Sequence, residues 1–255
     1  MNGAAGPPGW HGKLPSLGDF ASRRLDTGFI EAWDGWLAAG LLALRQAEPE
    51  GWLETYLGSP SWRFLLMPGV MPGVMSGVMS GVKPDVVTGR GGAGQGAWAG
   101  VLMPSVDRVG RYFPLTLVQP LGSGPASTQQ MAGLWHWLGR LDELARDALH
   151  EDWTVDRLEQ ELARMALPDI DVLAPAPEPP LPAAEGTLIE CAAGAAALDA
   201  AQHIGAEAQR SWAAQARGRA WWYAQPDDAA PRLLLSRGLP AAPLLARLFG
   251  STATI

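Results

Sequence analysis

The fold is decided by residues 98–118, which read WAGVLMPSVDRVGRYFPLTLV. Two apolar runs, 98–106 and 111–118, flank the short polar stretch DRVG. Apolar runs rich in valine and aromatic residues on both sides of a turn are typical of two paired strands. Pro104 and Pro114 have no amide hydrogen to donate, so we expect them at a bulge or at an edge of the ladder.

Neighbouring segments predict further strands and helices from their apolar spacing. Strands are expected at 9–15 and 62–67, and in a second hairpin at 221–223 and 233–235. Helices are expected to begin near 27 and after 127, and to span about 50–57, 154–166, 194–216 and 241–249. Residues 187–190 fit either a strand or the start of a helix. Strands in adjacent pairs between helices indicate an α+β fold, with a single mixed, largely antiparallel sheet flanked by helices.

Composition divides the chain into parts. A main domain is expected at 9–167, with a low-complexity insertion at 68–96 in which Met-Pro-Gly-Val and Met-Ser-Gly-Val each occur twice. A linker rich in proline and alanine is expected at 168–186. The part from 187 to 250 is expected to add a helix, a hairpin and a helix to the same sheet.

Charge and composition exclude several classes of protein. The chain has 255 residues, a net charge of −7, and 47% hydrophobic but only 18% charged residues, which indicates a folded protein. The acidic balance argues against nucleic acid or an anionic membrane as the main partner. No signal-peptide pattern occurs at the start, and the single cysteine, Cys191, excludes an internal disulfide. We therefore expect a cytoplasmic protein.

The motifs of common catalytic and cofactor sites are missing. The glycine tract at 92–96 leads into a predicted strand rather than a helix, so it offers no helix N-terminus to a phosphate. The four histidines are far apart and have no metal-ligand spacing, and no G-x-S-x-G motif marks a nucleophilic serine. The residues therefore point to no metal and no cofactor.

The uncharged stretch 64–82 carries glycine at every fourth position of its repeat, as some membrane helices do. Pro68 and Pro72 and the lack of basic flanks favour a surface loop instead. We expect no stable insertion into a membrane.

Two short motifs are not explained by turn formation alone. The first, GKLPSLGDF at 12–20, is either an ordered loop in which Asp19 caps the backbone and Phe20 fills the core, or a presented recognition loop. The second, PSVDRVGRYFP, carries Arg108 and Arg111, whose guanidinium groups suit a carboxylate or a phosphate.

The second motif also has a purely structural interpretation. Asp107 pairs with Arg108 or Arg111 in this alternative, and the pair joins a strand to a helix. The residues alone leave both interpretations open.

Six segments of the chain carry a resemblance to a known family: GWHGKLPSLGDFASRRL (9–25), FIEAWDGWL (29–37), SPSWRFLLMPGV (59–70), WAGVLMPSVDRVGRYFPLTL (98–117), RAWWYA (219–224) and LLLSRGLP (233–240). The sequence resembles the TagF family of bacterial type VI secretion-associated proteins. It departs from the family pattern at 71–96, where the insertion replaces a short connection.

The resemblance implies a function that the residues alone do not. It implies a cytoplasmic, non-enzymatic, post-translational repressor of type VI secretion that acts by protein–protein contact. The implied partner is a secretion component, namely the forkhead-associated (FHA) scaffold protein.

Our first hypothesis is therefore a regulator that binds a secretion component through a few anchor residues, with tryptophan and arginine the commonest types. Adjacent strand residues face opposite ways, so at most one of Trp221 and Trp222 is expected on a given face. The candidate contact residues are Lys13, Asp19, Arg23, Arg24, Ser105, Asp107, Arg108, Arg111, Trp221 and Trp222. The alternative is an anion- or small-ligand-binding, hydrolase-like domain that uses the turn with Asp107, Arg108 and Arg111.

Overall fold

A computed structural model describes residues 6–71, 96–122, 128–167, 186–190, 216–226 and 229–250. The strands are β1 (Gly9–Gly12), β2 (Ala21–Arg23), β3 (Trp62–Leu66), β4 (Ala97–Met103), β5 (Leu115–Gly122), β6 (Gly186–Glu190), β7 (Arg219–Ala224) and β8 (Arg232–Arg237). The helices are α1 (Thr27–Ala47), α2 (Trp52–Leu57), α3 (Thr128–His150), α4 (Val155–Ala163) and α5 (Ala242–Leu248).

The strands form one eight-stranded sheet in the order β2-β1-β5-β4-β3-β7-β8-β6. Each pairing between described strands is antiparallel. The predicted α+β fold with a single, largely antiparallel sheet is confirmed. Residues 187–190, which the sequence left open, belong to β6 and pair with β8.

The hairpin that decides the fold is formed by β4 and β5. Its last ladder pair before the turn joins Met103 to Leu115. Pro104 and Pro114 stand just beyond that pair, as their missing amide hydrogens require. The strands are therefore shorter at the turn than predicted, and the turn becomes an eleven-residue loop, 104–114, crossed by one bridge between Val106 and Tyr112.

The short strand β2 is not predicted by the sequence. Its three residues pair with β1, with Trp10 opposite Arg23 and Gly12 opposite Ala21. None of the three is fully buried, so the segment lacks the apolar alternation by which a strand is recognised.

Helices cover both faces of the sheet. One buried cluster includes residues of α3 and α4, and the other includes residues of α1, α2 and α5. Alternation along β7 places Trp221 in the first cluster and Trp222 in the second. The prediction that the two rings face opposite sides is confirmed, and because both faces are covered, both rings are buried.

Buried tryptophans join helices to the sheet by hydrogen bonds. The Nε1 group of Trp33 on α1 donates to Oγ1 of Thr116 on β5 at 2.8 Å. The Nε1 group of Trp62 on β3 donates to the carbonyl of Leu248 on α5 at 2.9 Å. Several of the twelve tryptophans of the chain therefore belong to the core.

Several predictions lie outside the described residues. They are the repeat and glycine tract within 72–95, the linker over 168–185 and the alanine-rich helix over 194–215. Phe64–Leu66, the start of the uncharged stretch, belongs to β3 and not to a helix. Among the described helices, none combines the length and the apolarity needed to cross a membrane.

Candidate functional site

Two loops lie side by side at one end of the sheet. The loop 13–20 joins β1 to β2, and the loop 104–114 joins β4 to β5. Because β1 pairs antiparallel with β5, with His11 opposite Thr116, the end of β1 and the start of β5 leave the sheet together. The two motifs singled out in the sequence are thereby brought into contact.

The end of β1 approaches the start of β5 closely at Gly12. Its φ of 130° is a conformation that L side chains rarely adopt. A Cβ atom at this position would lie 2.1 Å from the carbonyl oxygen of Pro114. The contact between the loops therefore requires glycine here.

Asp107 lies at the centre of the contact. Its Oδ2 accepts hydrogen bonds from Nζ of Lys13 at 2.6 Å and from Nε of Arg111 at 2.8 Å. Its Oδ1 accepts from the amide N–H groups of Val109 and Arg111, at 3.0 and 2.9 Å. One carboxylate thus joins the first loop to the second and closes the turn of the second. The predicted pairing of Asp107 with Arg111 is present, but it lies within the second loop and does not join a strand to a helix. The pair that joins the two loops is Lys13 with Asp107.

The carboxyl group of Asp107 is ionised although it is buried. Burial by itself raises the pKa, but the hydrogen bonds from Lys13, Arg111 and Val109 outweigh burial and lower the pKa of Asp107 well below its ordinary value of 3.8. Lys13 and Asp107 form a buried ion pair, with 3% and 0% of their side chains exposed. Loss of either partner leaves an uncompensated charge in the interior.

Further hydrogen bonds connect the loops through Ser105. Its Oγ donates to the carbonyl of Lys13 at 2.7 Å. Its backbone N–H donates to the hydroxyl of Tyr56 on α2 at 2.8 Å, and that hydroxyl lies 3.0 Å from the carbonyl of Ser105. Ser105 therefore holds both loops against α2.

The exposed side of the contact is formed by five residues, which we call the two-loop surface: Asp19, Phe20, Arg108, Val109 and Arg111. Val109, at the tip of its turn, is 64% exposed, and Phe20 is 45% exposed. Both are among the few large apolar side chains exposed in the described structure. Apolar side chains beside arginines are a common composition for the centre of a protein–protein contact.

Phe20 covers the buried ion pair and does not fill the core as one interpretation expected. Nζ of Lys13 lies 4.2 Å from the centre of its ring. The ring also packs edge-on against Phe113, with 4.8 Å between centres. Asp19 does cap the backbone, because its Oδ1 accepts from the N–H of Phe20 at 2.8 Å.

Half of the ten candidate residues occupy buried positions. Lys13, Ser105 and Asp107 are buried within the loop contact, so they do not belong to its exposed side. Trp221 and Trp222 are buried on opposite faces of the sheet, which corrects their assignment as contact residues.

The remaining candidates are exposed, but two of them lie on β2 and just after it. Arg23 is exposed and donates to the carbonyl of Ser22 at 2.8 Å. Arg24 has a positive φ of 59° and binds Glu159 of α4 and, at 3.0 Å from its Nε, the carbonyl of Pro8. Arg24 therefore anchors the edge of the sheet to α4. Asp19, Arg108 and Arg111 are the candidates that the structure gathers on one surface.

The sequence did not single out Val109, Tyr56 or His11. An exposed valine beside glycine in a turn carries no chemical signal of its own. Tyr56 joins the site only because α2 packs beneath the loop.

Within the described ranges, no three His, Cys, Asp or Glu side chains lie close enough to share a metal ion.

His11 makes the stability of the region depend on pH. Its ring stacks near Phe20, and its Nε2 lies 3.4 Å from Oδ1 of Asp34 on α1. Burial lowers the pKa of His11 below its ordinary value of 6.5, and the nearby Asp34 only partly opposes this effect. The folded protein therefore favours the neutral ring.

We expect stability to fall as the pH falls through 6.5 because of this histidine. The unfolded chain takes up a proton near that pH, whereas the folded chain takes it up only at lower pH. Urea unfolding at pH 7.5 and pH 5.5 should show a smaller loss for His11→Gln than for the wild type. His136→Gln at an exposed position is the control for the substitution itself and should leave the stability at pH 7.5 unchanged. An equal loss in His11→Gln would contradict the assignment.

Comparison with known proteins places the chain in a family. The crystal structure of PA0076 from Pseudomonas aeruginosa PAO1 superposes with a TM-score of 0.63 and 31% sequence identity, over 97% of this chain and 96% of that one. No curated protein is significantly similar in sequence. The sequence model of the TagF N-terminal domain, described as type VI secretion system-associated, matches residues 9–165. This match includes both loops of the site and more than half of the chain, and the chain therefore belongs to the TagF family of type VI secretion-associated proteins.

Proposed function

We propose that this protein represses type VI secretion in the cytoplasm by binding the FHA-domain scaffold of the secretion apparatus, without catalysing a reaction. Membership in a secretion-associated family supports a partner within that system. The observation that carries the proposal is the two-loop surface, where exposed apolar side chains and arginines lie on a buried, hydrogen-bonded network.

Hydrogen bonds between the two loops favour binding, because a surface that is already ordered loses little conformational entropy when the partner binds. The backbone of Arg108 donates to the carbonyl of Leu17 at 2.8 Å, so the tip of the second loop is fixed to the first. The bonds of Asp107 hold the same turn from below. The surface therefore binds as a preformed unit.

The alternative of a small anion held by both arginines receives less support. Arg111 directs Nε to Asp107 and a terminal nitrogen to the carbonyl of Gly18. Its guanidinium group is thus largely committed within the protein and does not form a symmetrical clamp with Arg108.

A capture experiment tests the proposal. Tagged protein is incubated with lysate of its own organism, and captured proteins are identified by mass spectrometry. We expect the wild type to capture the FHA scaffold. The variant Arg108→Ala/Val109→Ser should capture at most about one tenth of that amount, because arginine and exposed apolar anchors dominate such contacts.

The matched control carries the same two kinds of change outside the loops. Leu42 on α1 is 56% exposed, and the side chain of Arg164 after α4 is 70% exposed. Leu42→Ser/Arg164→Ala should recover as much scaffold as the wild type. Recovery of no secretion component by the wild type would overturn the proposed function, and equal recovery by the loop variant would place the contact elsewhere.

A further inference from the structure

We propose that Arg108 binds a carboxylate side chain of the partner, on an acidic segment that also covers Phe20 and Val109. This inference rests on the proposed function. It specifies the chemistry of the partner at the two-loop surface.

Two guanidinium groups converge on Gly18. A terminal nitrogen of Arg111 donates to the carbonyl of Gly18. A Cβ atom placed on Gly18 would lie 3.6 Å from a terminal nitrogen of Arg108. Two like charges are therefore held beside the same residue, and an acidic group close to each of them lowers their mutual repulsion.

Only one of the two charges is compensated within the described residues. Arg111 lies 2.8 Å from Oδ2 of Asp107 and 3.6 Å from Oδ1 of Asp19. No described acidic side chain pairs with Arg108, whose guanidinium group is exposed. A carboxylate from outside the protein would complete the charge balance and match the planar donors of the guanidinium group.

The neighbours of Arg108 favour a protein segment over a free anion. Val109 and Phe20 are 64% and 45% exposed, and a small anion would leave both in water. A peptide segment carrying Asp or Glu beside apolar residues satisfies the arginine and buries the apolar side chains together. The whole chain has a net charge of −7, whereas the two-loop surface carries two arginines and one aspartate. An acidic partner is therefore attracted more strongly to this surface than to the protein as a whole.

The test measures binding of the purified FHA scaffold by calorimetry at low and high salt. Arg108→Gln should weaken binding about tenfold or more at low salt, because it removes a charge-assisted hydrogen bond. Arg108→Lys, which keeps the charge but not the paired donors, should fall between Arg108→Gln and the wild type. The difference between Arg108→Gln and the wild type should shrink at high salt. Arg164→Gln is the control for an exposed arginine outside the loops and should bind as the wild type does.

The outcomes separate this inference from the proposed function. No binding of the scaffold by the wild type overturns the proposed function, and the inference with it. Wild-type binding that Arg108→Gln leaves unchanged overturns the inference alone. Binding of inorganic phosphate by the wild type that is lost in Arg108→Gln, with scaffold binding unaltered, assigns Arg108 to a free anion and also overturns the inference.

Discussion

Gly12→Ala is expected to destabilise the protein by at least about 3 kcal/mol, because it combines backbone strain with a steric clash. The φ of 130° at Gly12 is strained for any side chain, and the new methyl group would lie 2.1 Å from the carbonyl oxygen of Pro114 and 3.0 Å from Cα of Leu115. Both of these atoms are backbone, so the clash is relieved only if β1 and β5 move apart. That movement would also separate Lys13 from Asp107.

Urea unfolding followed by circular dichroism measures this effect. Gly35 on α1 supplies a matched glycine, since a Cβ atom there would meet nothing within 4 Å. Gly35→Ala should leave stability unchanged or raise it by up to about 1 kcal/mol, because alanine has the higher helix propensity. A Gly12→Ala variant as stable as the wild type would show that the two segments are not packed as described.

Asp107→Asn is expected to lower the melting temperature by about 5 °C or more, because it leaves Lys13 buried beside a neutral side chain. The amide oxygen can still accept from the N–H groups of Val109 and Arg111. The variant therefore removes the negative charge while it keeps much of the turn. Asp19→Asn in the same site is the control, since 81% of that side chain is exposed and its contact with Arg111 is long.

The pH dependence gives this prediction a second readout. The folded pKa of Asp107 is lower than its ordinary value of 3.8, so the folded chain binds fewer protons than the unfolded chain just below that pH. Stability contributed by the carboxylate is therefore complete above about pH 4 and is lost as the pH falls through the folded pKa. The difference in melting temperature between the wild type and Asp107→Asn should shrink in strong acid. A difference that stays constant to low pH would argue against the ion pair.

Local patterns in the sequence predicted most of the elements. The stripe Phe29, Trp33, Leu37, Leu41 and Leu44 is buried along one side of α1, as its helical spacing indicates. The two hairpins likewise follow from apolar runs around turns. Neither depends on knowing which distant segments meet.

The candidate site could not be predicted from local patterns, because it is built from contacts between residues far apart in the sequence. Lys13 and Asp107 are 94 positions apart, and Arg24 and Glu159 are 135 apart. Pairing between such residues follows from strand order, which the sequence does not encode locally. For the same reason, the sequence does not reveal that Trp221 and Trp222 are buried, because their burial depends on helices from distant segments that cover both faces of the sheet.

The position of β7 in the sheet bears on how the chain folds as a cooperative unit. The family match ends at residue 165, yet β3 has its second hydrogen-bonding neighbour in β7, far beyond that limit. A chain cut after the matched region would turn β3, which includes Phe64 and Leu65, into an exposed edge strand, and exposed apolar edge strands favour aggregation. We therefore expect that the matched region does not fold stably without the later strands. Because β3 pairs with a strand about 158 positions later in the chain, the separation of Phe64 and Trp222, we expect the sheet to fold slowly.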